Sequence, residues 1–212
     1  MALCLLYRAD RRKSVVDFFL AAIDRCRFCS GVCIILPTSS SNPKPLPTTP
    51  TMSTVPLKIT ILVGTMTGTA EMVAQEAQTA LEATGHQASI RMMDDLDASV
   101  FSGGGVFLIC TSTYGQGDVP DNAQALFSSL ETERPDLSAI TYGVIALGDR
   151  TYKDTFCHGG LRFDALLTQL GAKRSGDILQ HDASSGTLPE EVAAQWVVPW
   201  VEQHLMASPE SA

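Results

Sequence analysis

The segment ITILVGTMTGTAE, residues 59–71, decides which fold the rest of the chain is predicted to form. Its first five residues are rich in apolar and β-branched side chains, which is typical of a strand buried on both faces. The strand ends at Gly64, and a helical pattern follows with Val73, Ala77 and Leu81 on one face. The connecting loop consists mainly of hydroxyl-bearing residues and glycine. Its N–H groups and the positive end of the helix dipole predict an anion site, with phosphate the first candidate.

This loop lacks the features of two common nucleotide-binding loops. A Walker A loop requires Gly-Lys-Ser/Thr, and the loop contains no lysine or arginine. A G-x-G-x-x-G turn requires a second glycine where Met66 stands. The loop therefore suits a single terminal phosphate held by hydrogen bonds. The alternative is a capped βα turn without a ligand, because Thr and Gly are common at helix starts.

Strands and helices continue to alternate after this loop. The first helix is predicted to end near Thr84, with Gly85 as its stop signal. Further strands are predicted at residues 88–92, 106–110, 142–147 and 175–180, and further helices at about 122–130, 161–170 and 189–205. Five strands alternating with helices predict an α/β fold, a doubly wound parallel sheet with helices on both faces. Ligands of such sheets bind beyond the carboxyl ends of the strands, at the loops after strands one, three and four.

The loops after the third and fourth strands are also rich in glycine and small polar residues. Residues 111–122 read TSTYGQGDVPDN, and residues 148–160 read GDRTYKDTFCHGG. Each loop carries one tyrosine, Tyr114 or Tyr152. Either tyrosine alone is equally well interpreted as a surface aromatic residue. Two aromatic residues beside a phosphate site favour a flat, conjugated ligand.

Residues 65–71, 111–118 and 147–152 resemble the three FMN loops of flavodoxins and of the FMN domains in diflavin reductases such as the sulfite reductase flavoprotein. Residues 154–157 and the closing helix with Trp196 and Trp200 are most similar to the MioC-like, short-chain branch. The resemblance covers roughly residues 57–205 and implies the flavodoxin-like strand order 2-1-3-4-5. Flavodoxin is itself the reference example of FMN bound at the switch point of such a sheet.

The resemblance also implies which residues would contact FMN. The first loop would hold the phosphate through Thr65, Met66, Thr67, Gly68, Thr69 and Ala70. The second loop would line one side of the isoalloxazine ring with Thr111, Ser112, Thr113, Tyr114, Gly115 and Gly117. The third loop would line the other side with Leu147, Gly148, Asp149, Tyr152, Phe156 and Cys157. Arg150 departs from the acidic or small residue of many flavodoxins, so the flavin potential and partner docking are expected to differ.

The function implied by the resemblance is electron transfer. Such a protein would carry single electrons from an NADPH-dependent flavoprotein reductase to an acceptor redox enzyme, and the MioC-like features suggest biotin synthase as an acceptor. No catalytic side chain is needed, because the flavin carries the electrons. The alternative is an FMN-dependent NAD(P)H quinone or azo reductase. Such enzymes usually contain long insertions, whereas the domain predicted here is minimal. A non-redox FMN or anion-binding module is a third interpretation, disfavoured by the paired tyrosines.

Charge and cysteine content limit the partners further. Residues 1–51 carry a formal charge of +4, which leaves −12 for the remainder of a chain whose total is −8. An acidic body argues against nucleic acid and favours a basic protein partner. Only Cys110 and Cys157 lie in that body, which favours a reducing compartment, and we expect a cytoplasmic monomer. No apolar run approaches the ~18 residues that a membrane span needs.

The two ends of the chain are predicted to lie outside the domain. Residues 1–51 are interpreted as a disordered, low-complexity extension, with Met52 as the expected biological start, and residues 206–212 as a disordered tail. The triad Cys26, Cys29 and Cys33 is an incomplete metal-ligand set. The four histidines show no ligand spacing, so we expect them at the surface and expect no metal site.

Overall fold

The computed structural model describes residues 55–206 of the protein. The predictions for residues 1–51, and for the tail apart from Met206, lie outside the described residues. The strands are Lys58–Gly64 (β1), Gln87–Met92 (β2), Gly105–Ser112 (β3), Ile140–Gly148 (β4), Lys173–Arg174 (β5) and Leu179–Asp182 (β6). The helices are Thr69–Ala83 (α1), Asp121–Glu133 (α2), His158–Gln169 (α3) and Pro189–His204 (α4).

All strand pairs are parallel, in the order β2-β1-β3-β4-β5, with β6 also pairing with β4. The predicted flavodoxin-like, doubly wound sheet is therefore confirmed. In the register of β1 with β3, Gly64 lies opposite Thr111, and in that of β3 with β4, Ser112 lies opposite Leu147. The carboxyl ends of the three central strands thus reach the same edge of the sheet.

Alternation of side chains along the strands divides the core into two layers. Ile59, Ile61 and Val63 of β1 pack with α1 and α4 on one face. Leu62 points to the opposite face, where α2 and α3 pack. Because both faces are covered, the central strands are almost continuously apolar, as the sequence pattern predicted.

The sequence predicted a single last strand at residues 175–180, and the structure differs from this prediction at the sheet edge beyond β4. Two short strands, β5 and β6, pair with opposite ends of β4. Between them the chain turns at Gly176, whose φ is 73°. The indole of Trp200 donates a 2.7 Å hydrogen bond from Nε1 to the Ser175 carbonyl and packs against the bare backbone of Gly143. The ring therefore lies against the part of β4 that has neither β5 nor β6 as a partner.

Two of the four histidines are buried, so the expectation that all lie at the surface is wrong. His86 accepts a hydrogen bond at Nδ1 from the Leu57 backbone N–H, at 3.4 Å. Nε2 of His181 lies 3.1 Å from the Thr187 hydroxyl oxygen. Both rings therefore have polar partners within the fold. Within residues 55–206, no helix has the length and apolar character to cross a membrane, and no cluster of three or more potential metal-ligating residues occurs.

Candidate functional site

A cavity of about 430 Å³ lies at the carboxyl ends of the central strands. Its walls come from the loops that follow β1, β3, β4 and β6. The lining residues are Thr67, Thr69, Ser112, Thr113, Tyr114, Gly115, Leu147, Gly148, Asp149, Tyr152, Thr155 and Ala183. Four strands that are distant in sequence thus bring the loops at their carboxyl ends to one place, as expected for a doubly wound sheet.

The first loop presents polar groups of both backbone and side chain to the cavity. Gly68 precedes α1 in the left-handed region, with φ at 84°, and its N–H donates a 3.0 Å hydrogen bond to the Thr65 hydroxyl. The Thr67 and Thr69 hydroxyl oxygens lie 3.3 Å apart. Within the described residues, no acceptor pairs with the backbone N–H groups of Met66, Thr67, Thr69 and Ala70. These N–H groups at the start of α1 are available to an anion.

The second loop is a closed turn whose aromatic residue remains accessible. Tyr114 and Asp118 exchange backbone hydrogen bonds of 3.0 and 2.8 Å, and the turn between them contains Gly115 and Gly117, both with positive φ. Arg162 of α3 holds the turn from outside through a 2.8 Å ion pair with Asp118. The Tyr114 side chain nevertheless stays half exposed, at 51%. The hydrogen-bonded turn therefore positions the Tyr114 ring at the mouth of the cavity.

The third loop is fixed by carboxylates that accept backbone hydrogen bonds. Asp149 accepts from the Thr151 N–H at 2.7 Å, and Asp182 accepts from the Arg150 N–H at 3.0 Å. The latter bond and those from Ser184 hold the pKa of Asp182 below its usual value. The Arg150 guanidinium lies over the Phe156 ring at 5.0 Å, and Arg150 is not among the residues that line the cavity. The Tyr152 side chain is 68% exposed, so both loops present an open aromatic surface.

The start of α3 packs so closely beneath these loops that only glycine fits. A Cβ atom at Gly159 would collide with the Ser112 carbonyl oxygen, and one at Gly160 would lie 2.5 Å from the Ala146 Cβ. The Gly159 N–H donates a 3.1 Å hydrogen bond to the Thr113 hydroxyl. Gly159 thus joins α3 to the second loop, and Gly160 allows the helix to pack closely on β4.

Ten of the residues predicted to contact a ligand line the cavity: Thr67, Thr69, Ser112, Thr113, Tyr114, Gly115, Leu147, Gly148, Asp149 and Tyr152. The other predicted residues do not line it: Thr65, Met66, Gly68, Ala70, Thr111, Gly117, Phe156 and Cys157. Ala70, Thr111 and Cys157 are fully buried. Gly117 lies against the His158 ring, since a Cβ there would be 2.9 Å from Nδ1.

Three residues near the site were not predicted from the sequence. Thr155 and Ala183 line the cavity, and Asn122 hydrogen-bonds the first loop. Ala183 could have been predicted, because it lies in the polar turn after the last strand, and ligands of such sheets bind at the loops that follow the carboxyl ends of the strands. No sequence pattern indicated the role of Asn122, because its hydrogen-bond partner Thr65 lies 57 residues away in the chain.

Cys157 is a packing residue in the third loop. Its thiol donates a 3.2 Å hydrogen bond to the Ala146 carbonyl, and a Cβ at Gly148 would lie 2.5 Å from its backbone nitrogen. Burial raises the pKa of this thiol to about 12. The reactive thiolate is therefore very scarce near neutral pH.

We expect Cys157 of the folded protein to resist alkylation by iodoacetamide at about pH 8, while the unfolded chain reacts readily. Peptide-resolved mass spectrometry with and without denaturant measures this residue separately from the cysteines of residues 1–51. Cys110, whose pKa is also raised by burial, serves as the internal reference. Rapid labelling of Cys157 under native conditions, with Cys110 protected, would contradict a purely packing role.

The donor set fits a flat ligand with one anionic end. Within the described part of the chain, N–H groups without an acceptor lie at the first loop beside the Thr67 and Thr69 hydroxyls, while accessible tyrosines and glycine backbone lie at the other two. Among residues 55–206, no cationic side chain lines the cavity, and Asp149 is the charged residue in the lining. A terminal phosphate would thus be held by hydrogen bonds and the helix dipole, and a conjugated ring by stacking.

Comparisons with known proteins agree with this geometry. The family model described as Flavodoxin matches residues 61–196. Flavodoxin YqcA of Pectobacterium carotovorum subsp. carotovorum is 41% identical over 145 residues, covering 68% of this chain and 95% of that protein. Protein MioC of Escherichia coli (strain K12) is 36% identical over 146 residues, with the same two coverages. A solved cysteine-to-alanine mutant of flavodoxin from Pseudomonas aeruginosa is 38% identical with a TM-score of 0.62, covering 69% of this chain and 97% of that one.

These similarities extend over nearly the whole described domain and nearly the whole of each relative. They confirm the resemblance drawn from the three loop motifs, and the MioC-like branch is among the matches. The chain belongs to the flavodoxin family, as a short-chain, MioC-like member that binds FMN.

Proposed function

We propose that this flavodoxin carries single electrons from an NADPH-dependent flavoprotein reductase to an acceptor redox enzyme, with FMN held in the cavity at the carboxyl ends of β1, β3 and β4. The observation that carries the proposal is the convergence of three loops with complementary chemistry. The first loop offers hydroxyls and N–H groups that have no acceptor among residues 55–206, and the other two loops offer accessible tyrosines. FMN would supply the redox chemistry itself.

The residues proposed to hold FMN fall into two groups. Thr67, Thr69 and the N–H groups at the start of α1 would bind the phosphate. Tyr114 and Tyr152 would contact the isoalloxazine ring from the second and third loops. Gly115 has a φ of 53°, and a Cβ there would meet only Asp118, at 3.8 Å. Its peptide can therefore adopt conformations that a larger residue would disfavour, which permits a change of hydrogen bonding beside the ring.

An electron carrier needs a cofactor edge that partners can reach. Both tyrosines at the mouth of the cavity are exposed, so a ring placed between these loops would lie close to the protein surface. The surrounding loops and the start of α2 also bear exposed carboxylates, among them Asp118, Asp121 and Asp154. Together with the acidic body, these charges would steer a partner with a basic docking face. Arg150 and Lys153 would modify that docking locally.

The finer assignments belong to the same proposal. We infer that the protein works as a monomer in the cytoplasm, because its body is acidic and has only two cysteines. Biotin synthase is a candidate acceptor because of the likeness to protein MioC. A reductase enzyme that takes hydride from NAD(P)H directly is the competing function.

Stepwise anaerobic reduction of the purified, FMN-loaded full chain tests the proposal. A carrier should show an additional long-wavelength absorption band that rises and then disappears as reduction proceeds, because the protein separates the two one-electron steps. NADPH alone should reduce the flavin slowly, and a catalytic amount of flavoprotein reductase should make reduction fast. Reduction in one two-electron step by NADPH alone, with turnover of a quinone, would instead support the reductase enzyme.

A further inference from the structure

The side chain of Asn122, the second residue of α2, connects three parts of the chain at the first loop. Its Oδ1 accepts a 2.8 Å hydrogen bond from the Thr65 backbone N–H. Its Nδ2 lies 3.4 Å from the Val63 carbonyl oxygen and 3.2 Å from Oδ2 of Asp94. One amide therefore contacts the end of β1, the start of the first loop and the segment after β2.

The chemistry of these neighbours fixes how the amide is oriented. The Thr65 N–H can only donate, so it requires an oxygen, whereas the Val63 carbonyl and the Asp94 carboxylate require N–H donors. A side-chain amide supplies both kinds of atom at this reach. A carboxylate would repel Asp94, and a hydroxyl or aliphatic side chain would leave the Thr65 N–H without its acceptor.

The contact also determines which loop groups face the cavity. With its N–H occupied by Asn122, Thr65 directs its hydroxyl to accept a 3.0 Å bond from the Gly68 N–H. Next to Asn122, the Asp121 N–H lies 3.2 Å from the Met66 sulfur. The start of α2 thus holds the first half of the loop in place. The N–H groups of Thr67 and Thr69 remain free of acceptors within residues 55–206.

We propose that Asn122 is a positioning residue for the phosphate end of the FMN site. It does not line the cavity, so its effect on the ligand passes through the Thr65 backbone. This inference rests on the proposed placement of the phosphate at the first loop. It adds that binding of the phosphate depends on a side chain of the helix that follows the second loop.

The test compares the affinities of the apoprotein for FMN and for riboflavin, which has the same ring and lacks the phosphate. Asn122→Ala is expected to weaken FMN binding about tenfold, because it leaves the Thr65 backbone N–H without its acceptor. Riboflavin binding should change much less. The ratio of the two dissociation constants is the readout. General destabilisation of the domain would weaken both ligands and leave the ratio unchanged.

Two matched variants serve as controls. Gln124→Ala removes an amide from the same helix, one that donates to the Val119 carbonyl at 2.9 Å, and should leave the ratio at its wild-type value. Arg162→Gln removes the ion pair that holds the second loop and should weaken both ligands by a similar factor. Asn122→Ser offers a second substitution at the position itself, in case the alanine variant fails to fold. The serine hydroxyl is too short to replace the amide.

The outcomes separate this inference from the proposed function. If the wild-type protein does not bind FMN more tightly than riboflavin, the phosphate does not lie at the first loop, and both this inference and the proposed placement of FMN are overturned. If the wild type favours FMN and the folded Asn122 variants keep the same ratio, only the positioning role is overturned. A reduced ratio in the Asn122 variants, with the Gln124 variant unchanged, supports it.

Discussion

Replacing Gly143 by alanine is expected to lower the free energy of unfolding by about 2–3 kcal/mol, as overpacking of a filled core does. Gly143 lies in the middle of β4, where an added Cβ would be 2.5 Å from Cζ2 and 2.6 Å from Cε2 of Trp200. Trp200 is 2% exposed, and its indole N–H is hydrogen-bonded to the Ser175 carbonyl, so the ring has little freedom to move aside. Equilibrium urea denaturation of the apoprotein measures the loss.

Gly103→Ala is the matched control for this substitution. Gly103 has no atom within 4 Å of an added Cβ and does not adopt a positive φ, so the same methyl group should cost little there. Trp200→Leu, made alone and with Gly143→Ala, completes a double-mutant cycle. Gly143→Ala should lower the free energy of unfolding by clearly less when residue 200 is leucine than when it is tryptophan. Equal costs in the two backgrounds would show that the indole does not cause the expected instability.

Thr67→Asp is expected to weaken FMN binding by at least about 100-fold. Thr67 lines the cavity at the first loop, and a carboxylate there would face the phosphate. Two like charges about 4 Å apart repel by roughly 4 kcal/mol near a protein surface, more than a 100-fold change requires. Isothermal titration of the apoprotein with FMN provides the measurement.

The control for this charge effect is Thr67→Asn, which has nearly the same shape as aspartate and no charge. It removes the same hydroxyl, so it should weaken FMN binding only modestly, as the loss of one hydrogen bond does. High salt should partly restore binding to the aspartate variant, because a surface charge is screened. If the two variants bind FMN equally well, the phosphate does not approach Thr67, and the proposed orientation of the ligand is wrong.

These two predictions concern different parts of one arrangement. Trp200 packs against β4 at the edge of the sheet, where β5 and β6 pair. The sheet in turn brings the ligand-binding loops together. The first loop itself contributes no cationic side chain. Its affinity for an anion would therefore depend on where its N–H groups point, which makes its anchors more important than they are in a loop with a lysine.

The sequence by itself was sufficient for the order of elements and for the parallel sheet. Buried parallel strands are recognisable as short apolar runs, such as residues 106–110 and 142–147, and helices as 3.6-residue periodicity. The carboxyl-end rule then selects the loops. The resemblance of those loops to the flavodoxin family supplied the individual residues, ten of which line the cavity. These features depend on neighbours within a few residues, or on topology that holds for all sheets of this class.

Other features arise from contacts between distant residues and became visible only once the elements were packed together. The interruption between β5 and β6 follows from the indole of Trp200 over Gly143, 57 positions earlier in the chain. Asn122 looks like an ordinary helix-start residue until the register of β1 and β3 brings Thr65 within 2.8 Å of it. The burial of His86 and His181 was missed for the same reason. Local patterns encode which face of an element is apolar, whereas the partner of a single polar side chain is determined only when the elements pack.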